Sequence, residues 1–177
     1  MELTDQIIKL RPFKETDSKR LAELCNNRKI WDNLTDLIPF PYNENHATEF
    51  IARCQLEAPQ TTFLIEFGDE IAGIIGLIQQ TNIYRLTAEV GYWIGEPFWG
   101  RGIATRAVRL ITGYGFQKLH LIRIYAGVFD YNKASQRVLE KASYKLDCVL
   151  EKSIIKNRNL YNEYRYGIVN EDFTSIL

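Results

Sequence analysis

The stretch RLTAEVGYWIGEPFWGRGIATRAVRLITGYGF, residues 85–116, restricts the fold more than any other part of the chain. It opens on an extended run, residues 85–95, rich in the β-branched and aromatic residues that suit a pleated, half-buried surface. It closes with Ile103, Ala107, Leu110, Ile111 and Tyr114 on one helical face. Between them stand Gly100, Arg101 and Gly102. A strand that runs through a tight turn into an amphipathic helix must bury one face of that helix on a sheet. A mixed α/β architecture is therefore expected.

The flanking pattern agrees. DQIIKLRPF reads as a short strand ended by Pro12. TDSKRLAELCNN reads as a helix capped by Thr16 or Asp17, with Leu21 and Leu24 on one face. A proline-stiffened loop, LIPFPY, leads near Asn43–Asn45 into a helix that aligns Ala47, Phe50, Ile51 and Cys54. TTFLIEF and EIAGIIGLI form a hairpin about Gly68 and Asp69. LIRIYAGVF is a strand. NKASQRVLEKA is a helix capped by Asn132, with Ala134, Val138, Leu139 and Ala142 turned inward. YKLDCVLEKSII and NLYNEYRYGIV are strands around the turn KNRN. The pattern predicts one domain over residues 1–177. Its sheet should be mixed, mostly antiparallel and of about seven strands, with helices on both faces.

Charge and composition remove several functions. The 22 basic and 22 acidic residues give zero net charge, which argues against nucleic-acid binding through bulk positive charge. No apolar run approaches the ~20 residues that cross a bilayer, so no membrane partner is expected. The start, MELTDQIIKLRPFKE, has neither a basic leader nor a long apolar core, which predicts a cytoplasmic location. Cys25, Cys54 and Cys148 are far apart and form no CxxC pair, and His46 and His120 are the only histidines. Reduced thiols and no metal are the expectation.

The glycine turn admits two readings: an ordinary turn before a helix, or a cradle for phosphate. Free N–H groups at a helix start carry partial positive charge and suit an anion. Gly100 and Gly102 would let the backbone approach it, with Ile103, Ala104 and Thr105 supplying N–H groups. A P-loop is excluded by spacing and by the missing lysine. A dinucleotide fingerprint would need a small residue at Thr105 and a place after the first strand of its unit.

AEVGYWIGEPFWGRGIATRAV resembles the acetyl-CoA binding core of the GNAT N-acetyltransferases, and most resembles the RimJ/RimL branch. VFDYNKASQRVLEKASYKLD and IPFPYNENHATEFI resemble two further segments of that family, in the same order. The resemblance implies acetyl-CoA as co-substrate, seated on Trp99, Gly100, Arg101, Gly102, Ile103, Ala104 and Thr105. The main chain of Trp93 and Ile94, and Asn132, would hold the pantetheine arm. Trp99 stands where the wider family often has Gln or Arg, as is usual in the branch, and is expected to pack beneath the loop. The family's LGF is Ala142-Ser143-Tyr144 here. The tyrosine that many members use as general acid maps onto Leu139, which leaves Ser135 as the donor to the leaving sulfur.

Glu89, inside a mainly apolar strand, is the candidate base for the amine. It could equally be a solvated carboxylate or the partner of Arg85 or Arg123. Asn132 and Ser135 also suit a plain capping pair. Arg101, Arg106, Arg109, Lys133 and Arg137 are the cations near the two helix starts, each equally at home on a solvated face. Trp31, Phe40 and Tyr42 are candidates for the acceptor side, or for the core. Acidic residues form no run, which favours a peptide N-terminus or a small amine over a polycation. A polyamine or aminoglycoside acetyltransferase and a non-catalytic acyl-CoA-binding regulatory domain are the alternatives, in a monomer or a homodimer.

Overall fold

A computed structural model describes residues 1–173; the last four residues of the expected domain lie outside the described residues. The strands are β1 (Leu3–Thr4), β2 (Ile8–Arg11), β3 (Thr62–Phe67), β4 (Glu70–Gln79), β5 (Thr87–Ile94), β6 (Arg123–Phe129), β7 (Lys145–Lys156) and β8 (Asn159–Val169). The helices are α1 (Ser18–Cys25), α2 (Arg28–Trp31), α3 (Glu44–Gln55), α4 (Ile103–Gln117) and α5 (Lys133–Lys141). All strands join one eight-stranded sheet in the order β1-β2-β3-β4-β5-β6-β8-β7. Only β5 and β6 run parallel; every other pairing is antiparallel.

Helices cover both faces. A Cβ on Gly115 of α4 would meet Ile124 and Leu77, so α4 lies on the face that carries Leu77, Val90 and Ala88. A Cβ on Gly95 would meet Leu24 of α1, which places α1 on the opposite face. The core follows this division. Ile103, Ala107 and Ile111 of α4 and Leu21 and Leu24 of α1 are buried against the sheet.

Caps set the helix starts. Asn43 accepts from the His46 N–H while His46 accepts from the Asn43 N–H, a reciprocal cap for α3. The Asn132 side chain accepts from the Ser135 N–H at 3.1 Å and starts α5. Asp17 stands at the expected N-cap of α1 without capping it. Its carboxylate instead binds Arg11 at 2.8 Å and the Lys14 N–H at 2.8 Å, because a buried guanidinium demands a charged partner.

Three local expectations change. The two-residue β1 adds the eighth strand, too short to carry a periodic signal. Arg28–Trp31 form a short helix whose start is capped by Asn27. Ala134 is exposed, and Gln136 takes the inward place. The Gln136 amide donates to the Asp130 carbonyl at 3.1 Å and thereby ties α5 to the loop that precedes it.

Candidate active site

The parallel pairing of β5 and β6 is brief: Thr87, Ala88 and Glu89 match Arg123, Ile124 and Tyr125, and there it stops. Beyond Glu89, β5 stays paired with β4 to Ile94, and β6 stays paired with β8 to Phe129. The two strands therefore part into a gap at the middle of the sheet. The Gly95 N–H donates to Ala72 and the Gln80 N–H to Thr87, so odd-numbered residues of β5 bond toward β4. The Leu86 carbonyl accepts from Ile122 on the other side. Alternation thus turns the main-chain groups of Val90, Tyr92 and Ile94 to the gap.

This corrects the reading of Trp93. Its register partner is Ile74 of β4, so its main chain faces away from the gap. Ile94 does face it, but its carbonyl already accepts from the Trp99 indole N–H at 2.6 Å. Trp99 does not pack beneath the loop: it is 45% exposed, and Phe98 is the buried neighbour. The indole N–H needed a partner and found one at the strand end, which holds the ring outside.

The turn is open. Gly100 and Gly102 have φ of +76° and +74°, and a Cβ on either would meet nothing within 4 Å. Gly102 is the N-cap of α4, and no side chain caps that helix. Its first bond is Arg106 N–H to the Gly102 carbonyl at 3.3 Å. The N–H groups of Ile103, Ala104 and Thr105 thus project from the helix end toward clear space. Main-chain donors facing open space at a helix start fit a pyrophosphate. Among the nearby cations, Arg106 is held by Asp5 at 2.8 Å and Arg109 donates to the Lys141 carbonyl. Lys133 lies over the Tyr164 ring, 5.1 Å from its centroid. Arg101 rests against Phe67 and Phe98, and neither it nor Arg137 has an acidic partner among the described residues.

On the same face, Asn132 starts α5 and Ser135 stands in its first turn. The Ser135 hydroxyl lies 2.9 Å from the Tyr92 hydroxyl. Leu139 is fully buried and offers no proton. Tyr92 is not among the sequence candidates, since its partner Ser135 lies 43 residues further on, in another element.

The opposite face of the gap is polar. Glu89, Tyr125 and Gly127 border it, with Glu163 and Arg165 of β8 beside them. Gly91 and Gly127 add no side chain of their own to that face. A Cβ on Gly127 would meet the Glu163 carboxyl carbon at 3.0 Å, so that carboxylate lies over the strand. Burial raises the Glu89 pKa above the usual carboxylate value, and the Glu163 charge adds to the rise. Arg165, the Gly127 N–H and Tyr125 partly oppose it. Glu89 therefore pairs with neither Arg85 nor Arg123; Arg123 is bonded to Asp147. Glu163 and Arg165 escaped sequence reading, although their i, i+2 spacing put both on one face of a predicted strand.

The predicted acceptor aromatics separate. Tyr42 is buried, ring to ring with His46 at 5.5 Å, and burial pushes its phenol pKa up. It belongs to the core between α1 and α3. Trp31, the last residue of α2, and Phe40, in the loop that follows, pack with tilted rings 5.5 Å apart. The tip of the β7–β8 hairpin clasps that loop. Lys156, only 1% exposed, donates to the Leu34 carbonyl at 3.0 Å and to Asp36 at 2.7 Å. Its ammonium also sits 3.5 Å from the Trp31 ring centroid. Tyr131 and Tyr161, centroids 4.8 Å apart, pack with Phe129 at the open end of β6.

The sequence profile of the Acetyltransferase (GNAT) domain matches residues 8–145. The chain belongs to the GNAT acetyltransferase family. It is 29% identical over 177 residues to the Bacillus subtilis protein called probable N-acetyltransferase YjcK, covering 96% of this chain and 98% of that one. It is 25% identical over 167 residues to the spermidine N(1)-acetyltransferase of Escherichia coli K12, covering 94% and 88%. RimL, a ribosomal L7/L12 alpha-N-protein acetyltransferase solved with coenzyme A, shares its fold with a TM-score of 0.84. That match covers 96% of this chain and 98% of RimL at 17% identity. The chain is thus an acetyltransferase. No described helix is long and apolar enough to cross a membrane.

The hairpin clasp makes a checkable demand on this acetyltransferase. Lys156→Met keeps the volume but strands the Leu34 carbonyl, a loss of ~1–3 kcal/mol. The melting temperature should fall by several degrees and the KM for acceptor amine should rise, with acetyl-CoA affinity unchanged. An unaltered acceptor KM in the destabilised variant would make the clasp purely structural.

Proposed function

We propose that the chain moves the acetyl group of acetyl-CoA to the α-amine of a peptide or protein N-terminus, as a RimJ/RimL-like enzyme. Acetyl-CoA supplies an activated acyl carbon on a thiol leaving group. The turn at Gly100–Thr105 holds its pyrophosphate, and the gap-facing main chain of Val90, Tyr92 and Ile94 pairs with the pantetheine arm as an added strand would. Asn132 borders that arm. Glu89, its proton affinity raised by burial and by Glu163, takes a proton from the incoming ammonium. The neutral amine attacks, and Ser135 meets the leaving sulfur.

The observation that carries the acceptor class is the charge on the acceptor face. Glu89 and Glu163 face one cation, Arg165, which leaves a single uncompensated carboxylate. Of the other carboxylates around it, Asp32 pairs with Arg28, Asp36 with Lys156 and Asp147 with Arg123, and Asp130 accepts the Asn162 N–H at 3.0 Å. One uncompensated carboxylate at the gap itself suits one ammonium, whereas a polyamine carries several. The free Cys25, Cys54 and Cys148 suit the reducing cytoplasm.

Thiol release from acetyl-CoA across a panel of short peptides, spermidine and an aminoglycoside tests the reading. The expected result is kcat/KM at least about tenfold higher for some peptide N-terminus, one full ammonium contact in energy. Preference for spermidine would move the chain to the small-amine class that its Escherichia coli relative names. Coenzyme binding with no turnover on any acceptor would make it a regulatory domain.

A further inference from the structure

The leaving-group side of the site holds a pair of hydroxyls, Tyr92 on β5 and Ser135 on α5, 2.9 Å apart. Tyr92 lies where β5 has parted from β6, so the pair borders the gap on the face of the phosphate cradle. No other hydrogen bond engages the Ser135 hydroxyl among the described residues. A helical serine can return its proton to a preceding carbonyl; in the first turn of α5 the Ser135 Oγ meets the Tyr92 phenol instead. A phenol is a far stronger acid than an aliphatic alcohol. Either hydroxyl could donate at 2.9 Å, and the Tyr92 hydroxyl also lies 3.4 Å from the Ser135 carbonyl; the stronger acid is assigned as the donor, with the Tyr92 O–H directed to Ser135 and the Ser135 Oγ accepting. That leaves the Ser135 proton unspent.

We propose that Tyr92 is a positioning residue for transfer: its phenol fixes and polarises the Ser135 hydroxyl so that the Ser135 proton is presented to the departing sulfur. The pair does the work that Leu139, buried and without a proton, cannot do. This rests on the reading of the gap as the acetyl-CoA site.

The step balances without a net change at either hydroxyl. The amine nitrogen forms a bond to the acyl carbon. The carbon–sulfur bond then breaks, and its electron pair goes to sulfur. Ser135 donates a hydrogen bond to that thiolate, which later takes a proton from water. The two protons shed by the nitrogen leave through Glu89 and water on the opposite face. Tyr92 ends as it began, protonated; burial raises its pKa to about 12, which keeps it a donor throughout the neutral range.

The test compares equilibrium affinity for coenzyme A with that for its analogue lacking the sulfur, at a pH where the thiol is ionised. A hydrogen bond to a charged sulfur should favour coenzyme A about tenfold or more in the wild-type protein. Tyr92→Phe and Ser135→Ala should each abolish the preference, and the double variant should lose no more. Ser135→Thr, which keeps a hydroxyl, should restore it. In single turnover, Tyr92→Phe should slow transfer from acetyl-CoA about tenfold and leave transfer from an acetyl aryl thioester nearly untouched, since a better leaving group needs less help. Preference kept in Tyr92→Phe but lost in Ser135→Ala would overturn the pairing. Equal slowing with both donors would reduce Tyr92 to a packing residue. If the wild-type protein binds neither coenzyme form, the assignment of the acetyl-CoA site itself fails, and the pairing with it.

Discussion

Gly102→Val should raise the Kd for acetyl-CoA by about a hundredfold or more while the protein stays folded. Two effects act together. Gly102 sits at φ +74°, and a β-branched residue there costs roughly 1–2 kcal/mol of backbone strain. The chain can relieve that strain only by rotating the peptide units that aim the Ile103 and Ala104 N–H groups. The new side chain also projects into open space, with nothing within 4 Å, in front of the helix start where a phosphate would rest. Losing two charge-assisted hydrogen bonds at about 1.5 kcal/mol each gives roughly a hundredfold. Because no neighbour is struck, the melting temperature should fall by only a few degrees. Titration calorimetry with acetyl-CoA reads the outcome. Gly102→Asn separates the causes: Asn tolerates the left-handed region but still brings a Cβ. If Asn restores affinity as well as stability, strain alone was responsible. Wild-type affinity in Gly102→Val would sink the cradle.

Sequence reasoning reached the fold wherever periodicity and punctuation coincided. β3 and β4 about Gly68, α3 behind Asn43 and α5 behind Asn132 each had an apolar period and a turn or cap at its edge. The cradle was legible because it is local: two glycines and a helix start are adjacent in the chain. The rest of the site is built across the sheet. Glu89 could be noticed, but its charged neighbours, Glu163 and Arg165, come beside it only through the pairing of β6 with β8. Trp93 was misread for a related reason. Which edge a residue's N–H and carbonyl face depends on strand register, and the sequence carries no register for β4 and β5 until they are paired. Tyr42 and Lys156 show the limit from both sides. A tyrosine beside prolines looks like a loop residue and is buried, whereas a lysine at a hairpin turn looks solvated and is a buried pin. Neither inversion has a local signature, since both follow from what packs above them.

Glu89→Gln should lower turnover at neutral pH about a hundredfold or more, the usual contribution of a positioned base, and at the same time stabilise the fold. The sign follows from the raised pKa of Glu89 in the folded chain. A carboxyl whose folded pKa lies above its unfolded value favours folding while protonated, below the unfolded pKa. That contribution is lost as pH rises through the folded pKa, where ionisation occurs in a buried position beside Glu163. Glutamine removes the ionisation. Its melting temperature should exceed wild type at pH 7, and the difference should vanish on acidification toward pH 4. Catalysis runs the other way, because a base must be ionised to act. Wild-type kcat/KM should rise with pH through the elevated Glu89 pKa. The variant should lack that limb and recover only at high pH, where the amine loses its proton unaided. Coenzyme affinity should stay near wild type, since the cradle lies on the other face. A variant that gains stability but keeps the wild-type pH–rate profile would show Glu89 to be a strained carboxylate with no part in proton removal. A variant that loses rate without gaining stability would put its catalytic weight in orienting the amine rather than in proton affinity raised by burial.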